Sequence, residues 1–359
     1  ALKPPVEVPQ GAIRLNTDSQ KLEFFAQDQW WQMATDVPNL ARSADTGVGP
    51  RGVFAGGYAY GPGNQTNVID YVNIASAANA VDFGDLTEAR GTSQGFASRT
   101  RGVYCHGKLV APGSNSNTLD YITISSTGNA ADFGDSDKVA GHGVAAFSNR
   151  TRGVIGGGNG NPSGPCWQSI DYVTIATTGN TKDFGDLTIP KYAFGGTANT
   201  VRGIFTGGDL GPAPTNTVDF VTIATTGNAL DFGDQQISDN GQTACSNSTI
   251  ALLRGGGHTP GTWIEMLTIA TRGNCVEFGN GIAANASPAP TRRRFVSSCA
   301  SGTRGLFAGG YGYPGSYPTV RTNQIEYVTI ATRGDAIDFG DLTVQNSQHG
   351  GLSNAHGGL

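Results

Sequence analysis

Charged side chains are scarce in this sequence of 359 residues, where Asp, Glu, Lys and Arg together make up 14%. Long amphipathic helices need such residues on their solvent-facing side, so the composition does not favour them. No apolar run approaches the length of about eighteen residues that crosses a membrane. The N-terminus also lacks the charged and apolar regions of a signal peptide. Membrane insertion is therefore not expected.

Basic residues are few as well. The 23 Lys and Arg are outnumbered by 28 Asp and Glu, which gives a formal net charge of −5. A surface that binds nucleic acid is basic and clustered, so nucleic acid is not an expected partner. The only basic run is TRRRF at 291–295, which we interpret as a solvated loop rather than a phosphate site.

Cysteine and histidine are also sparse, with five of each. The cysteines show no CxxC spacing and occupy different positions within the repeats described below, so no disulfide framework is indicated. Buried free thiols are expected instead, which favours folding in a reducing cytosol. The histidines show no HExxH spacing, and neither a metal site nor a cofactor is predicted. These residues are Cys105, Cys166, Cys245, Cys275 and Cys299, and His106, His142, His258, His349 and His356.

What the sequence does contain is repetition. The tag DFGD, once written EFGN, recurs six times at intervals of about fifty residues. Each interval holds four short apolar segments separated by Gly, Asn, Ser and Thr, as in residues 92–134. Four antiparallel strands in about fifty residues are typical of a β-propeller blade. The tags begin at Asp82, Asp132, Asp183, Asp231, Glu277 and Asp338.

The order of segments within a unit resembles the kelch repeat. A strand ends in a double glycine, and then come a variable loop, an acidic-aromatic pair such as IDY and the tag. The resemblance covers residues 48–359, although the tags carry phenylalanine where kelch repeats usually carry tryptophan. The longer phrase DYVTIATTGN followed by DFGDL is similar to repeats in virion structural proteins of tailed phages, notably phages of cyanobacteria. The resemblance implies an all-β fold with a six-bladed kelch-like propeller.

The last residues repeat the beginning of a unit without completing it. Residues 351–354 (GLSN) correspond to residues 95–98 (GFAS), whereas the unit that opens at Arg51 lacks a first strand. We predict that residues 348–358 form a strand in the blade that begins at Arg51, which closes the ring and removes an exposed edge. The chain then divides into an N-terminal segment, 1–45, and a propeller, 46–359.

Residues 1–45 do not repeat. ALKPPVEVPQ is proline-rich and expected to be extended, and three short strands are predicted near residues 13–15, 22–25 and 30–33. The stretch GAIRLNTDSQKLE resembles a small β-meander of tail-fibre and other tailed-phage structural proteins. The resemblance implies docking to another virion protein through Phe24, Phe25, Trp30 and Trp31. The alternative is that one of the two tryptophans packs on the propeller.

An enzyme is not predicted. Paired carboxylates can hydrolyse a glycan, but a carboxylate present in every repeat does not mark one active site. An arginine also recurs, with Ile250 in its place in the fifth repeat. We predict structural ion pairs between these arginines and the carboxylates, within a blade or between blades. The arginines are Arg51, Arg101, Arg152, Arg202 and Arg304, and the carboxylates are Asp70, Asp120, Asp171, Asp219 and Glu326. Glu265 holds the same position in the fifth repeat, where the contact is expected to be missing because of Ile250.

The loops after the double glycines differ in every unit and are expected on one face. Exposed aromatic residues in these loops would suit protein contact or stacking on a sugar. The alternative is that each aromatic residue covers its own blade. The residues are Tyr58, Tyr60, Trp167, Trp263, Tyr311, Tyr313 and Tyr317.

These features predict a non-enzymatic virion structural protein of a tailed phage, either a tail or fibre component or a capsid decoration. It would assemble in the host cytoplasm, dock through residues 1–45 and present its loops outward. Its expected partners are other virion proteins, with a host-surface glycan or protein and a homo-oligomer as further candidates. One alternative function is a host-surface glycan-binding or glycan-cleaving propeller. A cellular kelch-type adaptor is the other, which the N-terminal segment disfavours.

Overall fold

The computed structural model describes residues 8–16, 21–27, 29–32, 49–59, 64–110, 114–160, 164–256, 262–283, 292–313 and 320–359. Within these ranges the regular structure is entirely β-strand, as predicted. The described residues form no helix of the length and apolarity that a membrane crossing requires. Of the predicted loop aromatics, Tyr60, Tyr317 and the side chain of Tyr313 lie outside the described part of the chain.

The N-terminal segment forms the predicted three-stranded meander. Its strands are β1 (Ile13–Asn16), β2 (Lys21–Ala26) and β3 (Gln29–Gln32), and β2 lies between the other two. Ile13 pairs with Phe24, which in turn pairs with Trp31. The neighbouring pair Phe25 and Trp30 lies on the opposite face, because successive side chains of a strand alternate.

Each of the six repeats forms an antiparallel sheet. The first repeat contains β4 (Arg51–Ala55), β5 (Tyr58–Ala59), β6 (Val68–Asn73) and β7 (Val81–Asp85). The second contains β8 (Arg90–Gly91), β9 (Gln94–Ala97), β10 (Arg101–Leu109), β11 (Asn115–Thr123) and β12 (Ala131–Asp135). The third contains β13 (Ala145–Ser148), β14 (Arg152–Gly156), β15 (Ser169–Thr174) and β16 (Lys182–Asp186).

The remaining strands repeat this order. The fourth repeat contains β17 (Gly195–Ala198), β18 (Arg202–Thr206), β19 (Thr217–Thr222) and β20 (Leu230–Asp234). The fifth contains β21 (Thr243–Ser246), β22 (Ile250–Arg254), β23 (Trp263–Thr268) and β24 (Val276–Asn280). The sixth contains β25 (Arg292–Arg294), β26 (Ser297–Ala300), β27 (Arg304–Ala308), β28 (Tyr311–Tyr313), β29 (Val320–Thr329) and β30 (Ile337–Ser347), and the last strand is β31 (Gly350–Ser353).

Four-stranded sheets of this kind are consistent with propeller blades. In the third, fourth and fifth repeats the four strands pair in chain order. In the first repeat the order is β31-β4-β6-β7, so the first strand comes from the C-terminal end of the chain. Leu352 pairs with Val53 in this sheet. The predicted pairing with the sheet that begins at Arg51 is therefore present, over Gly350–Ser353 rather than the whole of 348–358.

The core lies between consecutive sheets. Third strands such as β6 are apolar on both faces because a neighbouring sheet covers each side, and Ile69 and Val72 are both buried. The phenylalanine of each tag is buried. In every repeat except the fifth it contacts the aromatic residue of the third strand, as in the edge-to-face contact of Phe83 with Tyr71. One core cluster joins Phe54 of the first sheet with Leu306 of the sixth.

Candidate functional site

The repeated phrase joins neighbouring sheets. At the junction of the third and fourth repeats, the N–H of Gly227 donates to the carbonyl of Phe184, and the N–H of Ala229 donates to the carbonyl of Asp186, both at 2.7 Å. The side chain of Asn228 accepts a third bond from the N–H of Asp186 at 3.1 Å. The TGNA segment of one repeat therefore covers the outer strand of the preceding sheet, which would otherwise be an unpaired edge.

The same side-chain bond is present at the other junctions. In each case an Asn or Asp that follows the third strand accepts from the N–H at the end of a tag. The pairs are Asn129 with Asp85, Asn180 with Asp135, Asn274 with Asp234, Asp335 with Asn280, and Asn79 with Asp341. The last pair joins the sixth repeat to the first.

The glycine of the tag is required by this contact. Gly185 has a φ of +146°, which residues with a side chain rarely adopt. A Cβ at this position would lie 2.6 Å from the backbone of Gly227 in the next repeat. The phrase that repeats along the sequence therefore specifies how one sheet meets the next.

The predicted ion pairs of the repeated arginines are wrong. Each of these arginines donates to a backbone carbonyl of the next repeat, and its guanidinium lies over the ring of a tyrosine or phenylalanine. Arg152, for example, donates to the carbonyl of Ile223 at 2.7 Å and lies 4.4 Å from the ring centre of Tyr172. The carbonyl partners are Ile124 for Arg51, Ile175 for Arg101, Ile269 for Arg202 and Ile74 for Arg304.

The strand register explains the correction. Arg51 pairs with Asn73, whereas Asp70 pairs with Phe54. The arginine and the carboxylate are thus three residues apart along the sheet, roughly 10 Å at about 3.3 Å per residue. In the fifth repeat, Ile250 and Met266 replace the arginine and the aromatic residue, and both pack against the core.

The repeated carboxylates instead bind the segment that follows the preceding tag. Asp120 accepts from Thr87 Oγ1 at 2.6 Å, and Asp70 accepts from Thr343 Oγ1 at 2.7 Å. Asp219 is bound in the same way by Thr188. These carboxylates are therefore occupied in linking consecutive sheets.

Two of these carboxylates also meet buried cations that the sequence analysis did not single out. Arg90 Nη2 lies 2.7 Å from Asp120 Oδ2, and Lys191 Nζ lies 3.0 Å from Asp219 Oδ2. Both cations are fully buried. Arg90 and Lys191 each lie five residues after the last acid of a tag. The equivalent position after the tags of the second and fourth repeats holds no cation. The repeat pattern therefore did not reveal them.

The TRRRF run is not a simple solvated loop, because Arg293 is fully buried. Its Nη1 lies 3.2 Å from Glu326, which also forms an ion pair with the buried Arg254 at 2.7 Å. A carboxylate between two guanidinium groups has charged partners for both of its oxygens, which offsets part of the desolvation penalty. The run therefore contributes to the core of the sixth repeat.

Three of the carboxylates, Asp70, Asp171 and Glu265, form no ion pair among the described residues, and burial raises the pKa of each. Burial raises the pKa of Asp171 to about 6; nearby Lys138 opposes the increase, and Asp137, in the position of the threonine, adds to it. Burial likewise raises the pKa of Glu265 to about 7, although the N–H of Gln236 donates to it. We therefore expect the second-to-third and fourth-to-fifth junctions to be sensitive to pH.

The first strands of the sheets begin at residues with left-handed backbone. Gly241 has a φ of +67° and Phe295 a φ of +51°. The N–H of Phe295 donates to the carbonyl of Gly241, and the N–H of Gln348 donates to the carbonyl of Phe295, both at 3.0 Å. Three further backbone hydrogen bonds are of the same kind: the N–H of Thr92 donates to the carbonyl of Gln348, that of Ala193 to Gly143, and that of Gly241 to Ala193. These bonds link one sheet to the next where the first strands start.

The loop aromatics are less exposed than expected. Tyr58 is buried beside Gly91, and burial raises its pKa while nearby Arg321 opposes the increase. Trp167 is half-buried against the core cluster between the second and third sheets, and Trp263 is also half-buried. The half-buried Tyr311 stacks on Phe295 with the ring centres 5.5 Å apart. These side chains cover neighbouring structure, and binding by the loop face stays a prediction.

One face of the meander is apolar, and the side chains on its other face contact one another. Arg14 forms an ion pair with Glu23 at 2.8 Å and lies over the ring of Trp30 at 4.1 Å. Trp30 also contacts Phe25 edge to face. Of the predicted docking residues, Phe25 and Trp30 therefore lie on the face whose side chains contact one another, whereas Phe24 and Trp31 lie on the apolar face.

The apolar face is exposed. Ile13 and Leu15 are each 61% exposed and Trp31 is 45% exposed, while Phe24 is half-buried. These residues share one face because Ile13 pairs with Phe24 and Phe24 with Trp31. We call these four residues the meander face. Exposed apolar side chains gathered in this way mark interaction surfaces.

The cysteines are free thiols, as predicted, and four of the five are buried, with Cys166 half-buried. Within the described ranges, no three or more His, Cys, Asp and Glu side chains are grouped to hold a metal ion. Burial lowers the pKa of His349 to about 3, and nearby Arg293 contributes, so this imidazole is neutral at physiological pH. Neither a family model nor a curated protein matches this chain.

Proposed function

We propose that the six sheets are the blades of a kelch-like β-propeller that the pairing of β31 with β4 closes. The first strands contact one another in the order β9, β13, β17, β21, β26, β31 and back to β9, which supports a ring. Asp341 of the sixth repeat binds Asn79 of the first, and Thr343 binds Asp70. These are the contacts that join the other repeats, so the same geometry serves the last junction.

We further propose that this propeller is a non-enzymatic structural component of a tailed-phage virion that docks through its N-terminal segment. The observation that carries the proposal is the exposed meander face, which includes Ile13, Leu15 and Trp31. The resemblance of residues 1–45 to a tailed-phage meander supports the choice of a virion protein as partner. Aromatic anchors such as Trp31 dominate the binding energy of an interface once they are desolvated.

Incorporation into assembled particles tests this function. Leu15→Glu places a charge on the meander face, and we expect it to reduce the copy number of the protein in purified particles. The matched control is Leu230→Glu, because Leu230 is also exposed, at 53%, but lies on the fourth sheet. Normal incorporation of the Leu15→Glu protein, or an equal loss with the control, contradicts docking through the meander face.

A further inference from the structure

All six sheets contribute to a pocket where their first strands begin. Its volume is about 90 Å³, and a second chamber of about 60 Å³ continues along the first strands. Gln94 and His349 line both chambers, which connects them. Each sheet contributes at least one lining residue, among them Gln94, His142, Tyr192, Gln242, Phe295 and His349.

The pocket opens beside the variable loops. Tyr192 at its rim exchanges two backbone hydrogen bonds with Asp209, at 3.0 and 2.8 Å. Asp209 directly follows the double glycine of the fourth repeat. At the far end of the first strands, His356 Nε2 lies 2.9 Å from the carbonyl of Ala97, and the N–H of Gly357 donates to the carbonyl of Ser246. A ligand therefore enters from the loop side.

His349 supplies unused hydrogen-bonding capacity inside the pocket. It is 2% exposed, and among the described residues neither of its ring nitrogens has a hydrogen-bond partner. Its neutral ring offers one N–H donor and one nitrogen acceptor. A buried polar group without a partner is rare and indicates a ligand or a bound water molecule.

The lining is uncharged but polar. Among the described residues that line either chamber there is no Asp, Glu, Lys or Arg. The nearest cations lie behind lining residues and are already engaged, Arg293 by Glu326 and Arg294 by Asn240. A charged ligand would therefore lose its hydration without gaining a counter-charge in direct contact, so the lining selects against it. The Gln242 carboxamide is held in place by reciprocal bonds to Gln235, at 3.1 and 3.2 Å. Gln94 provides a second carboxamide from the second sheet.

Aromatic rings complete the pocket. Phe295 is fixed by its stacking on Tyr311, and Tyr192 lines the same chamber. Flat apolar rings beside carboxamide and imidazole groups suit a ligand that has a C–H face and hydroxyl groups. We propose that this pocket binds a neutral sugar unit, with Gln94, Gln242 and His349 bonding its hydroxyl groups and Tyr192 against its ring. This site is independent of docking through the meander face.

The test is titration of the purified chain with glucose, galactose, mannose and glucuronate, followed by NMR chemical shifts. We expect saturable binding of at least one neutral hexose, and binding of the charged glucuronate weaker by about tenfold or more. Gln94→Leu should weaken hexose binding by about tenfold, the effect of one lost hydrogen bond to a ligand. The matched control is Gln345→Leu, because Gln345 is exposed and lines neither chamber.

Tyr192→Ala provides a second variant should Gln94→Leu prevent folding, which a thermal melt reveals. It removes the half-buried ring at the rim and should also weaken binding. The proposal is overturned if none of the three neutral hexoses binds, if glucuronate binds as well as they do, or if both pocket variants bind like the control. Failure of this test leaves docking in the virion untouched, because the meander face is not involved.

Discussion

The guanidinium of Arg304 donates to the carbonyl oxygen of Ile74 at 3.0 Å, although 230 positions separate the two residues in the chain. Arg304 begins the second strand of the sixth sheet, and Ile74 follows the third strand of the first. Arg152 makes the equivalent contact with Ile223 of the next repeat. The junction between the last and first repeats is therefore built like the junctions between consecutive ones.

We expect Arg304→Ile to lower the free energy of unfolding. The change removes a hydrogen bond worth about 0.5–1.5 kcal/mol. It also removes a cation–π contact with Tyr327, worth about 0.5–1 kcal/mol at an exposed site. The expected loss is thus about 1–2.5 kcal/mol, measured by urea denaturation.

The fifth repeat suggests the control for this substitution. In that repeat, Ile250 and Met266 occupy the positions of the arginine and the aromatic residue, and both pack against the core. The double variant Arg304→Ile, Tyr327→Met reproduces that pair and should recover part of the lost stability. A single variant as stable as the parent protein would show that the contact contributes nothing to the last junction.

The repeat itself and its strands could be predicted from sequence, and the partners of the repeated residues could not. Periodicity identifies equivalent positions, such as Arg51 and Arg101, but it does not say which different position lies beside them. That neighbour depends on strand register, and the register places Arg51 opposite Asn73 rather than Asp70.

Features that break the repeat were the hardest to predict. Arg90 and Lys191 form buried ion pairs, but they occur in only some repeats, so no pattern marked them. Their burial follows from the packing of one sheet on the next, which is a long-range property. The same holds for the pocket, because Gln94 and His349 are far apart in the chain and meet only through the arrangement of the first strands.

A second prediction distinguishes two reasons for the glycine in the tag: its positive φ, and the short distance between it and the backbone of the next repeat. Gly185→Ala introduces a Cβ that would lie 2.6 Å from the backbone of Gly227, at a φ of +146°. Gly227→Ala has a similar φ of +151°, but nothing lies within 4 Å of its new Cβ. Strain alone costs about 1–3 kcal/mol, so we expect that loss for Gly227→Ala and a larger one for Gly185→Ala. Equal losses in chemical denaturation would mean that the tag glycine serves conformation only.

A third prediction concerns pH. The folded protein raises the pKa of Glu265 from its ordinary value of 4.5 to about 7, chiefly through burial. Because the folded state holds this proton more tightly, the contribution of Glu265 to stability is present below pH 4.5 and is lost as the pH rises through 7. Glu265→Gln removes this dependence, so the variant should gain stability relative to the parent protein between pH 5 and pH 8.

Urea denaturation at these two pH values measures the difference. Glu277→Gln is the matched control, because Glu277 is an exposed carboxylate in the same repeat. We expect the control to follow the parent protein at both values. A constant difference between Glu265→Gln and the parent protein would contradict a titrating Glu265.

The last prediction concerns the C-terminal strand. Leu352 of β31 is 4% exposed and packs in the core cluster between the first and second sheets. Leu352→Ala should therefore cost about 2–5 kcal/mol, as large-to-small changes in a core do. The exposed Leu230 provides a matched Leu→Ala control, for which little change is expected.

Removing residues 348–359 is the stronger test, because the first sheet then keeps three strands and exposes β4 as an edge. We expect that protein to melt at a clearly lower temperature or to aggregate. An unchanged melting temperature for both variants would mean that β31 is not needed to hold the first and last repeats together.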